Sequence, residues 1–211
     1  MQTFFVTGLP RSRTAWLANL LTYGEAFCWH DLLGRCASLE ELKERFHATA
    51  CGYTAVGNAD SGLGWFFPQV DRMFPEAQWV IVRREPAEAA SSLYRHLARH
   101  PYPELAPPTL GSARDLCRRL DEVLNVMKDL LPTERTIELD YRQLESERVC
   151  REIWEFATGA GDWNHERWEL LNELRVNPAS EKISAARGQK LLSGDPSPLT
   201  PLPPGEGKEQ I

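Results

Sequence analysis

The chain has only five cysteines in 211 residues, an odd number without a CxxC pair. Zinc sites and the disulfide frameworks of small secreted proteins need paired cysteines at defined spacings. The cysteine pattern therefore excludes both kinds of site. We interpret the cysteines as reduced thiols in the core, and they are Cys28, Cys36, Cys51, Cys117 and Cys150.

The chain also lacks a long hydrophobic run, since no apolar stretch approaches the 18 residues of a membrane-spanning helix. The sequence passes from Met1 directly into Phe4, Phe5 and Val6, without the basic region of a signal peptide. We therefore expect a protein of the cytoplasm with no membrane partner.

Basic residues are not in excess either: 24 Lys and Arg stand against 30 Asp and Glu, a net charge of −6. A broad nucleic-acid surface needs a basic footprint, so no nucleic-acid partner is expected. With 42% hydrophobic and 26% charged residues, the chain fits one globular domain, which we place at 1–192. Prolines and glycines dominate 193–211, and this composition predicts a disordered tail.

Strand and helix patterns alternate along the chain. Short β-rich runs are followed by helical periodicity, and this order is typical of a three-layer α/β fold. We predict a mainly parallel sheet flanked by helices, similar to P-loop NTPases, with ligands at the carboxyl ends of the strands. Predicted strands lie at 3–7, 52–57, from 78, and 135–141, and predicted helices at 14–22, up to about 49, from 86, 112–131, 147–158 and 164–175.

One predicted helix has an apolar stripe that we assign to the core. Residues at helical spacing form it, and a stripe of this kind buries against the body of a domain. Its members are Leu116, Leu120, Val123, Met127 and Leu130.

The stretch VTGLPRSRTAW, residues 6–16, predicts a strand, a tight turn and a helix start. This geometry directs several backbone N–H groups at one anion, so it indicates a site for phosphate, sulfate or a nucleotide. A Walker A loop would have a second glycine where Arg13 stands and a lysine where Thr14 stands. The pattern of nucleotide kinases is therefore not met at its two most informative positions.

The same stretch resembles the phosphosulfate loop of the sulfotransferases that use 3′-phosphoadenosine 5′-phosphosulfate (PAPS), whose pattern is close to P-[KR]-S-G-T-[TS]-W-L. The resemblance implies that Arg11 contacts the phosphosulfate, while backbone N–H groups with Ser12 and Thr14 hold the 5′-phosphate. Arg13 replaces the glycine of the pattern, so it either demands a different loop conformation or adds a second guanidinium to the sulfate pocket. The predicted cofactor loop comprises Pro10, Arg11, Ser12, Arg13, Thr14 and Ala15.

A second stretch, VRREPAEAASSL, resembles the part of the same family that binds the 3′-phosphate through an arginine at a strand end and a serine eight residues later. Arg84 and Ser92 have that spacing, and Pro86 matches a proline of the pattern. The structural alternative is that Arg83 and Arg84 only flank a buried strand and pair with Glu85 or Glu88.

Two weaker similarities lie further along. DYRQL at 140–144 is similar to the family's Y-E-D-L, which implies that Tyr141 lies near the adenine, although Arg142 and Gln143 replace the acidic pair. The family's R-K-G segment has a faint counterpart in Arg187 and Gly188.

The general base has three candidates, His30, Asp31 and Asp60. A histidine with an ordinary pKa near 6.5 can accept a hydroxyl proton at neutral pH, and Asp31 stands beside it in the sequence. A structural histidine is the alternative for His30, and a capping or turn role is the alternative for Asp60.

The resemblance implies sulfuryl transfer from PAPS to a hydroxyl or amine of a small-molecule or glycan acceptor. No metal is needed in that scheme, because arginines and backbone donors neutralise the developing charge. The alternatives are a P-loop nucleotide kinase and a catalytically inactive module that binds PAPS or its product 3′-phosphoadenosine 5′-phosphate (PAP).

Overall fold

The computed structural model describes residues 1–100 and 107–173. The tail predicted at 193–211, together with Arg187 and Gly188, lies outside the described residues, so these predictions and the domain bound at residue 192 stay predictions.

Five parallel strands form one sheet in the order β2-β3-β1-β4-β5. They are β1 (Gln2–Gly8), β2 (Ala26–His30), β3 (Ala55–Ala59), β4 (Gln78–Arg83) and β5 (Thr136–Asp140). The helices are α1 (Thr14–Leu20), α2 (Leu39–Ala50), α3 (Phe67–Met73), α4 (Pro86–Arg99), α5 (Leu110–Leu130), α6 (Glu147–Thr158) and α7 (His165–Glu173). Short 3₁₀ turns cover Leu33–Arg35, Ser61–Phe66, Thr133–Arg135 and Tyr141–Glu145.

Helices cover both faces of the sheet. Successive side chains of a strand point to opposite faces, so each strand contributes to two cores. Phe5 packs with Phe46 of α2 in a core that also includes side chains of α3, α4 and α5. Phe4 belongs to the opposite core, with Leu17 of α1 and Ile153 of α6. These two cores separate three layers, which confirms the predicted α/β class.

Two elements were not predicted. The strand β2 has only five residues, and the pattern of its sequence, AFCWH, does not distinguish a strand from a loop. Helix α3 is also short, and glycines and aromatic residues precede it. The third strand lies at Ala55–Ala59 rather than at 52–57, because its pairing with β1 begins at Gln2 and Ala55.

The predicted stripe of α5 was partly wrong. Leu116 and Leu130 are 40% and 65% exposed, although Leu120 and Met127 are buried as predicted. Residues seven apart drift by about 20° per heptad around a straight helix, so the series 116, 123, 130 lies at the margin of the buried face, where Val123 still packs against the core. The buried face is formed by Ala113, Cys117, Leu120, Leu124 and Met127.

The cysteine prediction needs one correction. All five thiols are free, and Cys28, Cys117 and Cys150 are buried. Cys51 is exposed and is not a core thiol, whereas Cys36 is half-buried and packs against the edge of the core. Cys51 follows the last residue of α2, where the chain lies at the surface.

The carboxyl ends of all five strands lie at one edge of the sheet, and strand order decides which loops are neighbours there. The chain leaves β1 toward β2 and β3 on one side, and β4 and β5 occupy the other side. The loop after β1 therefore stands at the switch point, where open α/β sheets bind their ligands.

Candidate functional site

The loop after β1 makes a tight turn between Gly8 and the start of α1. A Cβ atom on Gly8 would lie 2.4 Å from the carbonyl oxygen of Val82, so the close approach of β4 requires glycine there. Arg11 and Arg13 have φ values of 70° and 63°, in the left-handed region that glycine adopts without strain. The backbone at Arg13 thus has a conformation that suits the glycine of the sulfotransferase pattern.

Two hydroxyls of this region are enclosed. Ser12 is fully buried, and Thr14 is only 7% exposed. Among the described residues, the Ser12 hydroxyl has no hydrogen-bond partner. A buried polar group without a partner costs about 1–3 kcal/mol, so such groups in native proteins call for an explanation. A ligand oxygen at the loop would supply the partner that Ser12 lacks.

Arg11 and Arg84 converge on the same loop from different strand ends. The Arg84 guanidinium donates a hydrogen bond of 2.5 Å from Nη1 to the backbone oxygen of Arg11. Burial lowers the pKa of Arg11, and the positive charge of Arg84 lowers it further. Two guanidinium groups held close together repel each other, so their proximity favours an anion beside them.

Arg13 has a protein partner. Its Nη2 atom lies 3.1 Å from Oε1 of Glu145, in the 3₁₀ turn after β5. The ion pair joins the loop after β1 to a segment 132 residues away. The side chain of Arg13 is 32% exposed, so the pair contributes about 1 kcal/mol at most.

Arg83 is a structural residue. It pairs with Asp121 at 3.3 Å and with Glu138 at 2.6 Å, and not with the predicted Glu85 or Glu88. Arg83 is the last residue of β4 and pairs with side chains of α5 and β5, whereas Arg84 lies beyond the strand and contacts the loop after β1.

An open cleft of about 510 Å³ lies beside the loop and is lined by Arg84, Glu85, Ala87, Glu88, Ser91, Arg95 and Tyr141. The guanidinium of Arg84 stacks over Tyr141 at 4.5 Å from the ring centroid. The structure thus brings together Arg84 and Tyr141, which were predicted from separate motifs. Ser91 lines the cleft, whereas Ser92 is half-buried and lies one residue further along α4.

The alternative pairing of Arg84 with Glu88 is present, at 3.8 Å between Nε and Oε2. Sequence reasoning did not place Glu88 or Arg142 in the site. Glu88 accepts hydrogen bonds from the Tyr141 hydroxyl at 3.2 Å and from Arg142 Nη2 at 2.6 Å. The guanidinium of Arg142 lies 5.3 Å from the centroid of the Tyr141 ring. The i,i+4 spacing of Arg84 and Glu88 is the local signal for their ion pair. No local signal links Glu88 to Arg142, since 54 residues separate them.

The predicted general bases lie at the opposite side of the loop, after β2 and β3. His30, the last residue of β2, pairs in register with Ala59, the last residue of β3, so Asp31 and Asp60 follow adjacent strand ends. Nδ1 of His30 lies 3.3 Å from Oδ2 of Asp31. Burial lowers the pKa of His30 below 6.5, and the nearby charge of Asp60 opposes this effect. The imidazole is therefore neutral, and able to accept a proton, at neutral pH.

Asp60 has the capping role that was its alternative. Its Oδ1 accepts a hydrogen bond from the backbone N–H of Gly62 at 2.7 Å, and its Oδ2 accepts one from Leu33 at 3.2 Å. Asp60 is only 7% exposed, and burial raises its pKa. Asp31 is half-exposed at a φ of 53°, and burial raises its pKa while Arg35 lowers it.

Two kinds of feature are absent from the described ranges, 1–100 and 107–173. No helix there is long and apolar enough to cross a membrane. No three His, Cys, Asp or Glu side chains in these ranges are grouped so that they could hold a metal ion.

Comparison with known proteins gives similarity at the level of structure. No protein-family model matches the chain, and the search of curated proteins finds no match. A sulfotransferase from Alicyclobacillus acidocaldarius superposes with a TM-score of 0.61 at 14% identity, over 90% of this chain and 95% of that one. Mouse sulfotransferase SULT7A1 complexed with PAP gives a TM-score of 0.58 at 17% identity, over 85% of this chain and 68% of that one. The chain therefore has the three-layer α/β fold of the sulfotransferases.

Proposed function

We propose that the protein is a PAPS-dependent sulfotransferase. The observation that carries the proposal is the hydrogen bond from Arg84 to the backbone of Arg11, which joins the loop after β1 to the cleft after β4. PAPS has two anionic groups, the 5′-phosphosulfate and the 3′-phosphate. A site with two linked cationic parts at one sheet edge matches a ligand with two linked anions.

The residues of the loop fit the 5′ end of the donor. Arg11 supplies positive charge, and the buried hydroxyl of Ser12 supplies a hydrogen-bond partner that the described protein does not use. Thr14 and the backbone of residues 10–15 complete this part of the site, and Arg13 flanks it while paired with Glu145. Burial holds Ser12 and Thr14 in place, and preorganised groups stabilise developing charge most effectively.

The cleft fits the other end of the donor. Arg84 would hold the 3′-phosphate together with a serine of α4, which is Ser92 in the motif, although Ser91 is the serine that lines the cleft. The ring of Tyr141, which already stacks on Arg84, would lie near the adenine. A base stacks on aromatic rings and on guanidinium planes, so a tyrosine ring beside a guanidinium suits a purine.

The acceptor would enter from the side of β2 and β3. The acceptor oxygen or nitrogen forms a bond to sulfur, the bond from sulfur to the bridging oxygen breaks, and PAP leaves. We assign the acceptor proton to the neutral imidazole of His30, whose Nδ1 faces Asp31 at 3.3 Å. An acceptor hydroxyl or amine on a small molecule or a glycan is compatible with this chemistry.

Nucleotide-dependent stabilisation tests the proposal. PAP fills both anionic parts, so we expect it to stabilise the fold far more than AMP or ATP. At about 100 times its Kd a ligand adds roughly 2.7 kcal/mol to the free energy of unfolding, which raises Tm by about 5–11 °C in a domain of this size. The shift should persist in EDTA and shrink sharply in Arg84→Ala.

The control variant is Arg118→Ala, which removes an equally charged but 60% exposed side chain of α5, paired only with Glu122 in the described protein. It should retain the full shift. A larger, Mg²⁺-dependent shift with ATP would identify the loop as a degenerate kinase P-loop and contradict the proposal. Transfer of labelled sulfate from PAPS onto a mixed acceptor extract then separates an enzyme from a module that only binds PAPS or PAP.

A further inference from the structure

Glu88 is the point at which the donors of the cleft converge. Its Oε1 accepts the 2.6 Å hydrogen bond from Arg142, and its Oε2 accepts the bond from the Tyr141 hydroxyl. Oε2 also lies 3.8 Å from Nε of Arg84. One carboxylate therefore collects two cations and a hydroxyl, the set of partners that a phosphate group also takes.

The side chains that would have to move are the exposed ones. Glu88 is 39% exposed and Arg142 is 58% exposed, whereas Arg84 is 15% exposed and anchored on the backbone of Arg11. Glu88 and Arg142 can therefore change rotamer without opening the core. Arg84 supplies the fixed part of the site, and Arg142 the adjustable part.

We propose that Glu88 is an internal counter-anion for the cleft and that a 3′-phosphate displaces it, taking over Arg142 as an additional cationic contact. This inference rests on the proposed function, because it assigns the 3′-phosphate of the donor to the cleft. Arg142 then determines specificity for nucleotides with a 3′-phosphate. The positive charge of Arg142 offsets the repulsion that Glu85 and Glu88 would exert on the 3′-phosphate.

The phosphate and the Glu88 carboxylate compete for the same donors, and their charges and acceptor oxygens decide which one binds better. A phosphate monoester carries close to two negative charges at neutral pH and has three acceptor oxygens, against one charge and two oxygens on Glu88. The phosphate therefore gains more from Arg84 and Arg142 than the carboxylate does. Glu88 competes for the same donors and repels the ligand, so it lowers affinity while keeping the empty cleft neutralised.

Isothermal titration calorimetry with PAP and with AMP tests the inference, because the ratio of the two Kd values isolates the 3′-phosphate. Arg142→Ala should lower the preference for PAP about tenfold and leave the Kd of AMP unchanged. Glu88→Gln keeps an acceptor for Arg142 and Tyr141 but removes the charge, so it should strengthen PAP binding about fivefold. Arg148→Ala is the matched control, since Arg148 is 82% exposed on α6 and pairs with Glu152; it should change neither Kd.

The outcomes separate the inference from the proposed function. If Arg84→Ala abolishes the preference for PAP while Arg142→Ala and Glu88→Gln leave it unchanged, the proposed function stands and the role of Arg142 is refuted. If Glu88→Gln weakens PAP binding, Glu88 is a structural support and not a competitor. If the wild-type protein binds PAP no better than AMP, both the proposed function and the inference fail. Circular dichroism on each variant verifies that the fold is intact.

Discussion

The left-handed backbone at Arg13 predicts that glycine is better tolerated there than alanine. Arg13 has φ 63° and ψ 22° at the residue before α1, and no side-chain hydrogen bond caps the helix from this position. A residue with a Cβ atom loses about 1–2 kcal/mol in this conformation, and glycine does not. Glycine also lowers the free energy of unfolding by about 0.4–1 kcal/mol, because an unfolded chain with glycine has more conformational freedom. The net difference is about 1 kcal/mol in favour of glycine.

Comparing two substitutions removes the contribution of the ion pair. Arg13→Gly and Arg13→Ala both delete the contact with Glu145, so the difference between them reports the backbone alone. Urea denaturation should give Arg13→Gly a free energy of unfolding about 1 kcal/mol higher than Arg13→Ala, and a Tm higher by about 2–4 °C. The preference of helix N-caps for glycine over alanine acts in the same direction.

The same pair of substitutions at Arg118 provides the control, because this exposed residue lies inside α5. There glycine should be about 1 kcal/mol less stable than alanine, so the sign reverses. A lower stability of Arg13→Gly than of Arg13→Ala would refute the left-handed conformation and the structural match to the glycine of the sulfotransferase pattern. Activity measured on the same proteins adds a functional test: Arg13→Gly should retain or raise activity if the guanidinium of Arg13 does not contact the sulfate.

Two further predictions concern the proposed chemistry. Arg11→Ala should lower kcat/KM for sulfate transfer by about 100-fold or more, the usual effect of losing one preorganised donor, and an unchanged rate in a folded variant would remove Arg11 from the site. His30→Ala should lower kcat while leaving the Kd of PAP nearly intact, because a general base acts on the acceptor. Since burial lowers the pKa of His30 below 6.5, the acid limb of kcat should lie at a lower pH than for an unperturbed histidine, and kcat should level off at neutral pH. An acid limb that persists in His30→Ala would transfer the role to Asp31 or Asp60.

Local patterns predicted the parts of the fold that local forces decide. The strand, turn and helix around residues 6–16 follow from β-rich and helical periodicities separated by glycine and proline, and the helix at Glu147–Thr158 has the bounds that its pattern predicts. Such elements are specified by propensity and amphipathic spacing within a few residues, so one sequence suffices to find them. The two motifs that resemble the phosphate-binding segments of the sulfotransferases were visible for the same reason, because each is a short run at one strand end.

Only the tertiary structure decided which of these runs meet. The register of β2 and β3 aligns His30 with Ala59, which places Asp31 and Asp60 after neighbouring strand ends, and β2 itself was not predicted. The contacts of Arg84 with the backbone of Arg11, and of Glu88 with Arg142, join residues that are 73 and 54 positions apart. Parallel strands are paired through long crossovers, and side-chain contacts at their shared edge depend on strand order and register, which no window of neighbouring residues contains.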